Sequence, residues 1–319
     1  MTFCETLKDI ETIHVHDGRF HFDDVLAVAL LRMAGCEGKI VRSRNFADAD
    51  KEDKTLHIDV GGMYDGIRRF DHHQEDAPIR EKYYALAAEA PKTRFCAAGL
   101  LWQVMGPEWS AHLLKDSDAC QKLFEEIDSK LIMWADYRDN GHEWGERTIG
   151  GLQLADFIAA ANDPDVTDKD SQNARFSKAV EALTPLLKWY IEGAAAAISA
   201  EKGVRTAFSA AAEKGESWVS LSGIAAGQWK KTVQSDEDLW QKTLNIKAVV
   251  TPGLNKTFAV TMMPQTRTGA FDCRCKLTSD LADKFPEFVF IHHNGFMGVL
   301  SSNERIDQIL EHVNFCNDQ

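Results

Sequence analysis

Apolar positions fall into short runs of two different periods along the first half of the chain. Residues 11–16 (ETIHVH) and 39–44 (KIVRSR) are brief β-rich runs, and 55–62 (TLHIDVGG) is a third, cut off by paired glycines. Between the first two, DDVLAVALLRMAG at 23–35 has helical periodicity, acids in its first turn and a glycine at its end. Residues 95–106 and 120–141 read as amphipathic helices. This alternation predicts an α/β domain with a mostly parallel sheet over residues 1–149, whose ligands would gather at the carboxyl ends of the strands.

The pattern then changes twice. Residues 150–205 are helical and alanine-rich, interrupted by the polar stretch NDPDVTDKDSQN at 162–173, and read as a helical connection. From 206 to 319 strand and turn signals return in WVSLSG, NIKAVVTPGLNKTFAVTMMP and EFVFIHHNGFMGVLSS, which predicts a smaller α+β domain. PGLNK at 252–256 is a hairpin-turn candidate, and a last helix is expected within 303–315, capped by Ser302 or Asn303.

Charge narrows the partners. The chain of 319 residues has 49 acidic against 36 basic residues, a net charge of −13, which argues against binding long duplex DNA through a basic surface. A short nucleic acid or a phosphate ester reached through bound metal ions remains open, because the ions invert the local charge. Seven cysteines, odd in number and mostly in apolar segments, read as reduced thiols of a cytoplasmic protein. Cys273 and Cys275 lack zinc-knuckle spacing. No basic leader or apolar signal core opens the sequence, and no window approaches the roughly 20 apolar residues of a membrane span. The expectation is a cytoplasmic protein with no membrane partner.

Four clusters of acids and histidines stand at predicted strand or helix ends. HVHDGRFHFDD contains His14, His16, Asp17, His21, Asp23 and Asp24; HIDVGG places Asp59 before two glycines; RRFDHHQED contains Asp71, His72 and His73; ADYRDNG contains Asp136 and Asp139. Each has an ordinary explanation. An aspartate before glycine is a common turn residue, Asp136 and Asp139 can be a solvated helix end, and His14 and His57 lie inside strands and read as structural. Adjacent side chains of an extended strand point to opposite faces, so His72 and His73 would hold separate tasks. Convergence of all four clusters at one edge of a parallel sheet is what favours a divalent metal site of imidazoles and carboxylates, without thiolates.

HDGRFHFDD, DVGG, RFDHHQ, AAGLLW and DYRDNG occur in the order found in the Myg (melanocyte proliferating gene) family, and FVFIHHNGFMG resembles that family's FVHxxGFxGG element. The family in turn resembles the DHH phosphoesterase superfamily, with its RecJ-type exonucleases and family II pyrophosphatases. Position by position the resemblance implies two metal ions, held by His16, His21, Asp23, Asp59, His72 and Asp136, with Asp59 between them. His21 falls where the wider superfamily usually has aspartate, one residue further from His16. The resemblance also gives His73, with Asp59, a catalytic part at the substrate phosphate, and leaves Asp71 and Asp139 as supporting carboxylates.

The ligand set suits Mn²⁺, two per chain, with Mg²⁺ as the alternative because it favours oxygen. His292, His293, Asn294 and Gly295, at the end of a predicted strand, are candidates for holding the substrate phosphate, and Arg267, Arg274 and Lys276 are weaker ones. The function expected is a metal-dependent phosphoesterase, a 3′–5′ exonuclease on RNA or short oligonucleotides, with the site in a cleft between the two domains. The alternatives are a hydrolase of small phosphoesters or phosphoanhydrides and a metal-stabilised binding protein without turnover. A peptidase motif such as HExxH is absent.

Overall fold

The computed structural model describes residues 2–49, 52–81, 92–142, 154–163, 165–224, 229–269 and 272–316. The chain divides into two compact units, Met1–Ala195 and Ala196–Gln319. The division falls inside one long helix, so the helical stretch of residues 150–205 does not form a unit of its own.

In the first unit, a short helix α1 (Phe3–Thr6) precedes strand β1 (Thr12–Val15), helix α2 (Phe22–Met33), and strands β2 (Lys39–Arg42), β3 (Thr55–Ile58) and β4 (Arg69–Phe70). The strands form a parallel sheet of order β2-β1-β3-β4, with Ile13 beside Ile40 and Leu56, and Val15 beside Ile58. β1 and β3 are buried at every position, as strands inside a covered parallel sheet are. Of their four polar residues, Thr12, His14, Thr55 and His57, the two histidines satisfy each other. His14 and His57 are fully buried, with their Nδ1 atoms 2.9 Å apart, and His14 Nε2 lies 2.9 Å from the Ser43 carbonyl.

Helix α2 is buried from Asp23 to Leu31 and packs against α3 (Ala97–Leu113). α4 (Ser117–Ile127) continues through a π-helical turn at Asp128–Ile132 into α5 (Met133–Asp139), and α6 (Leu154–Ala161) and α7 (Lys169–Lys214) follow. α7 passes Pro185 without ending.

The second unit is built on a five-stranded sheet of order β5-β6-β7-β9-β8, formed by β5 (Trp218–Ser220), β6 (Ala248–Pro252), β7 (Phe258–Met262), β8 (Phe288–Ile291) and β9 (Met297–Leu300). Only β5 and β6 run parallel. The expected turn joins β6 to β7, with Asn255 and Lys256 in the left-handed region and Gly253 N–H donating to Thr257 O at 2.7 Å. Four helices escaped the strand pattern or shrank within it: α8 (Trp229–Ser235), α9 (Glu237–Lys242), α10 (Asp280–Lys284) and α11 (Ile306–Glu311). α11 starts later than Ser302 or Asn303 would have capped it, at Arg305. Cys273 and Cys275 lie in the apolar core with Val250, Met262 and Ile309, and all seven cysteines are free thiols. Among the described residues no helix is long and apolar enough to cross a membrane.

Candidate metal centre

The carboxyl ends of β1 and β3 and the start of α2 meet at one point of the first unit. β1 runs out at Val15, and the loop that follows turns back through Gly18, at φ +86°, whose carbonyl accepts from Arg42 Nη2 at 2.8 Å. Buried Arg42 thereby holds the loop while its guanidinium stacks over Phe176 at 4.6 Å. His21 is the N-cap of α2, and its N–H donates to Asp24 Oδ1 at 3.1 Å. His16 Nδ1 lies 2.8 Å from Asp17 O, which turns Nε2 toward Asp24 Oδ2 at 2.9 Å and Asp59 Oδ2 at 3.4 Å.

Asp59 follows β3 with φ +54°, a left-handed conformation that a non-glycine residue holds only when its surroundings impose it. Its own N–H donates to Phe70 O at 3.0 Å, and the turn at Gly61–Gly62 closes on Asp71, whose Oδ2 accepts from Gly62 N–H. Gly61, at φ +102°, passes so close to Phe46 that a Cβ there would lie 2.2 Å from the ring.

The Asp-His-His segment is arranged differently from an extended strand. β4 ends at Phe70, and the next residues fold around one carboxylate oxygen, Asp71 Oδ1. It accepts from His72 N–H at 2.7 Å and His73 N–H at 3.1 Å, and lies 2.6 Å from His73 Nδ1. The two imidazoles are therefore on the same side, with centroids 4.5 Å apart, and not on opposite faces as an extended chain would place them. His72 Nε2 lies 3.1 Å from Asp139 Oδ2 and 3.4 Å from Asp59 Oδ1.

Three overlapping groups result, each with its potential ligand atoms within 4.8 Å of one another: His16, His21 and Asp59; Asp59, His72 and His73; and His21, Asp23 and Asp139. Asp136 is in none of them. Its carboxylate is fully buried and already occupied, by Arg80 Nε at 2.7 Å and by Cys96 N–H at 2.9 Å. Arg80 also grips Asp128 with both terminal nitrogens, at 2.7 and 2.8 Å. Asp139, one helical turn further on, is the member of the pair that lies in a group, with His21 and Asp23. Gly99 makes room for this arrangement, since a Cβ there would lie 2.1 Å from Asp136 Oδ1.

The electrostatics are those of a site short of positive charge. Burial pushes the Asp23 carboxyl well up, and Asp59, Asp139 and Asp24 add to the effect. Burial likewise raises Asp139, with Asp59 adding to it and His72 opposing. Burial opposes protonation of His16, but hydrogen bonds to Asp24 and Asp59 outweigh it and raise the imidazole to about 10. The His16 and His72 imidazoles hold Asp59 below the usual carboxylate range against its own burial. Asp23 is the telling residue. It is 1% exposed, and neither carboxylate oxygen reaches a hydrogen-bond donor at good geometry. A buried carboxylate without a partner, in a cluster with three others and four imidazoles, fits divalent cations.

A cavity of about 680 Å³ opens in front of the cluster, lined by His16, Asp59, His72 and His73 together with Arg44 and Arg94. Arg44 and Arg94 were not singled out in the sequence, and neither were Arg80 and Asp128, because a lone arginine carries no motif. In the second unit, His292, His293, Asn294 and Gly295 form the turn between β8 and β9. Gly295, at φ +71°, donates its N–H to His292 O at 2.7 Å, and Asn294 N–H donates to His292 Nδ1 at 3.2 Å. Arg274 does not belong to a phosphate-binding surface: it is buried over Trp240 at 4.3 Å and donates to Thr243 O. Arg267 donates to Gln234 O at 2.8 Å and pairs with Glu237, whereas Lys276 is exposed.

The chain is 33% identical over 141 residues to the MYG1 protein YER156C of Saccharomyces cerevisiae, covering 42% of this chain and 39% of that one. It is 34% identical over 145 residues to the MYG1 exonuclease of Homo sapiens, covering 42% and 37%. For the MYG1 exonuclease of Bos taurus the figures are 34% over 182 residues, covering 54% and 47%. The matched stretches thus span less than half the length of these relatives. A solved pGpG-specific phosphodiesterase, PggH of Vibrio cholerae, aligns over 94% of this chain and 96% of its own at 13% identity, with a TM-score of 0.25, too slight a likeness to argue from. The model of the uncharacterised protein family UPF0160 (MYG1 exonuclease) matches residues 12–312, and the chain belongs to that family.

Proposed function

We propose that the protein is a metal-dependent phosphoesterase that hydrolyses phosphodiester bonds at the Asp59 cluster, acting as a 3′–5′ exonuclease on RNA or short oligonucleotides. The observation that carries the reading is the unpartnered, buried Asp23 carboxylate next to overlapping His and Asp groups that share Asp59 and His21. The names of the human and bovine relatives support the exonuclease reading, and the direction of attack rests on the resemblance to RecJ-type enzymes.

His16, His21, Asp23, Asp59, His72 and Asp139 would hold two divalent ions; Mn²⁺ suits this mixture of imidazole and carboxylate better than Mg²⁺. When bound, such a pair acidifies water and balances charge on the attacking and leaving oxygens. The chain's own residues supply the rest. Hydrogen bonding to Asp71 raises the His73 imidazole and favours its protonated form. With Nδ1 held by Asp71, Nε2–H is free to donate to a phosphate or leaving oxygen in the cavity. Arg94 donates to the Gln74 and Glu75 carbonyls, which fixes its guanidinium at the cavity wall where an anionic substrate would lie.

The test is turnover of a panel of short RNA, short DNA, pyrophosphate and a cyclic dinucleotide with added Mn²⁺. Hydrolysis of the oligonucleotides from the 3′ end, abolished by a chelator and restored by metal, is the expected result. Two bound ions without any turnover would leave the protein a metal-stabilised binder, and turnover of pyrophosphate alone would make it a small-phosphoanhydride hydrolase.

A further inference from the structure

A second cavity, of about 400 Å³, shares His21 and Asp139 with the main one and extends past Phe22, Arg138 and Arg19. A third, of about 290 Å³, shares Arg19, Phe20 and Asn162 with the second and reaches Arg175. The three are consecutive neighbours, and all their lining residues belong to the first unit. Arg19 stands where the second meets the third. It is exposed, and among the described residues it has no carboxylate within salt-bridge distance. Arg138 is held by Asp156 at 3.0 Å and Arg175 by Asp163 at 2.8 Å, both through side chains that are 39% exposed. Ion pairs this exposed contribute little, so a phosphate can replace the carboxylate at small cost.

We infer that this row of cavities is a track for a single-stranded oligonucleotide, with the phosphates beyond the scissile one passing Arg138, Arg19 and Arg175 in turn. The inference rests on the phosphoesterase reading and deepens it, because a small phosphoester has no use for a charged path leading away from the reacting bond. Planar guanidinium groups match phosphate oxygens in pairs, and half-buried Phe22 offers a face on which a base can stack. On a chain of net charge −13, three arginines along one hollow bring that hollow to charge balance. The aspartates lining the second and third cavities (Asp23, Asp139 and Asp163) only balance them, and the proposed ions would tip the balance toward an anion.

The test measures fluorescence-anisotropy binding of labelled dinucleotides and pentanucleotides, RNA and DNA, with Ca²⁺ replacing Mn²⁺ to suppress hydrolysis. Wild type should bind the pentamer at least about tenfold more tightly than the dimer, with a salt slope set by the phosphates contacted. Arg19→Glu and Arg175→Ala should remove most of that length advantage, and each lost phosphate contact should flatten the log–log salt slope by about 0.7. Equal affinity for the two lengths in wild type, or a loss in Arg19→Glu that is the same for both lengths with an unchanged slope, would overturn the track. Failure of the underlying reading shows elsewhere, as absence of Mn²⁺ binding and of turnover on every phosphodiester, whereas failure of the track alone leaves dinucleotide hydrolysis intact.

Discussion

The chain contains two His-His pairs, at 72–73 and 292–293, and they sit in opposite kinds of surroundings. The first is organised from outside itself: Asp71 fixes both backbones and one ring, and Asp59 and Asp139 face His72. The second is organised by backbone, through Gly295 N–H to His292 O, His292 N–H to Met297 O and Leu277 N–H to Gly295 O, with Asn294 N–H donating to His292 Nδ1 and His292 resting on Phe296 at 4.3 Å. The dipeptide therefore carries no chemistry by itself. What distinguishes the two is whether carboxylates are in reach, from the neighbouring Asp71, from Asp59 after β3 and from Asp139 at the end of α5.

The sharpest way to break the contrast is at its centre. Asp59→Asn should keep the fold but lose at least one ion and reduce turnover by well over about 100-fold, the upper range for residues that merely support a ligand. His72→Ala should behave alike. Mass-spectrometric metal content decides it, and a variant with two ions and normal hydrolysis would remove Asp59 from the centre.

The next effect separates two aspartates one turn apart. Arg80→Ala leaves Asp128 and Asp136 buried without their cation and should cost about 3–5 kcal/mol of stability, measured by denaturant unfolding. Asp139→Asn should instead leave stability nearly unchanged and lose metal. If Asp136→Asn lost metal while remaining stable, the assignment of the two residues would have to be exchanged.

The second His pair is expected to give a smaller response. If the 292–295 turn contacts substrate, His293→Ala should retain both ions and lower kcat/KM by about 10- to 150-fold, the worth of one charge-assisted contact of about 1.5–3 kcal/mol. Wild-type kinetics for both His292→Ala and His293→Ala would reduce that turn to scaffolding.

The most graded effect is with pH. His16 is raised in the metal-free fold to about 10, whereas an imidazole in the unfolded chain titrates near 6.5. The folded state thus holds this proton more tightly. Its stabilising contribution is complete below about pH 6.5 and is lost as pH rises through about 10. In chelator, Tm should drift downward over that interval, and saturating Mn²⁺ should cancel the drift, since the ion takes the place of the proton. Metal affinity should accordingly keep rising well above pH 6.5, where an ordinary imidazole would have stopped competing. A pH-independent Tm in chelator would mean that His16 carries no such proton.

Much of this was legible in the sequence because it is local. The β1–α2–β2–β3 alternation, the acids at the start of α2 and the hairpin at 252–256 all lie within windows where periodicity and turn chemistry speak directly. β4 is two residues long and pairs by register with β3, so no run of its own could announce it. α8 and α9 are only 7 and 6 residues long, too short for a helical period to stand out among strand signals. The choice between Asp136 and Asp139 was illegible for another reason. Arg80, 56 residues before Asp136, makes it, and both aspartates satisfy any helical spacing rule. The same holds for the side-by-side orientation of His72 and His73, which Asp71 imposes by breaking the extended conformation that alternation assumes.

One further consequence lies in Asp24, which joins the first turn of α2 to His16. Its Oδ1 accepts from the His21 N–H that opens the helix, and its Oδ2 faces His16 Nε2. Helix initiation and imidazole orientation are therefore a single cooperative unit, and His16, His21, Asp23 and Asp24 come together through contacts that need only nine residues of chain. In amide hydrogen exchange this unit should open as one: protons at the head of α2 should exchange together and be protected by added Mn²⁺, while the buried remainder of the helix, from Val25 to Leu31, should stay protected until the sheet itself comes apart.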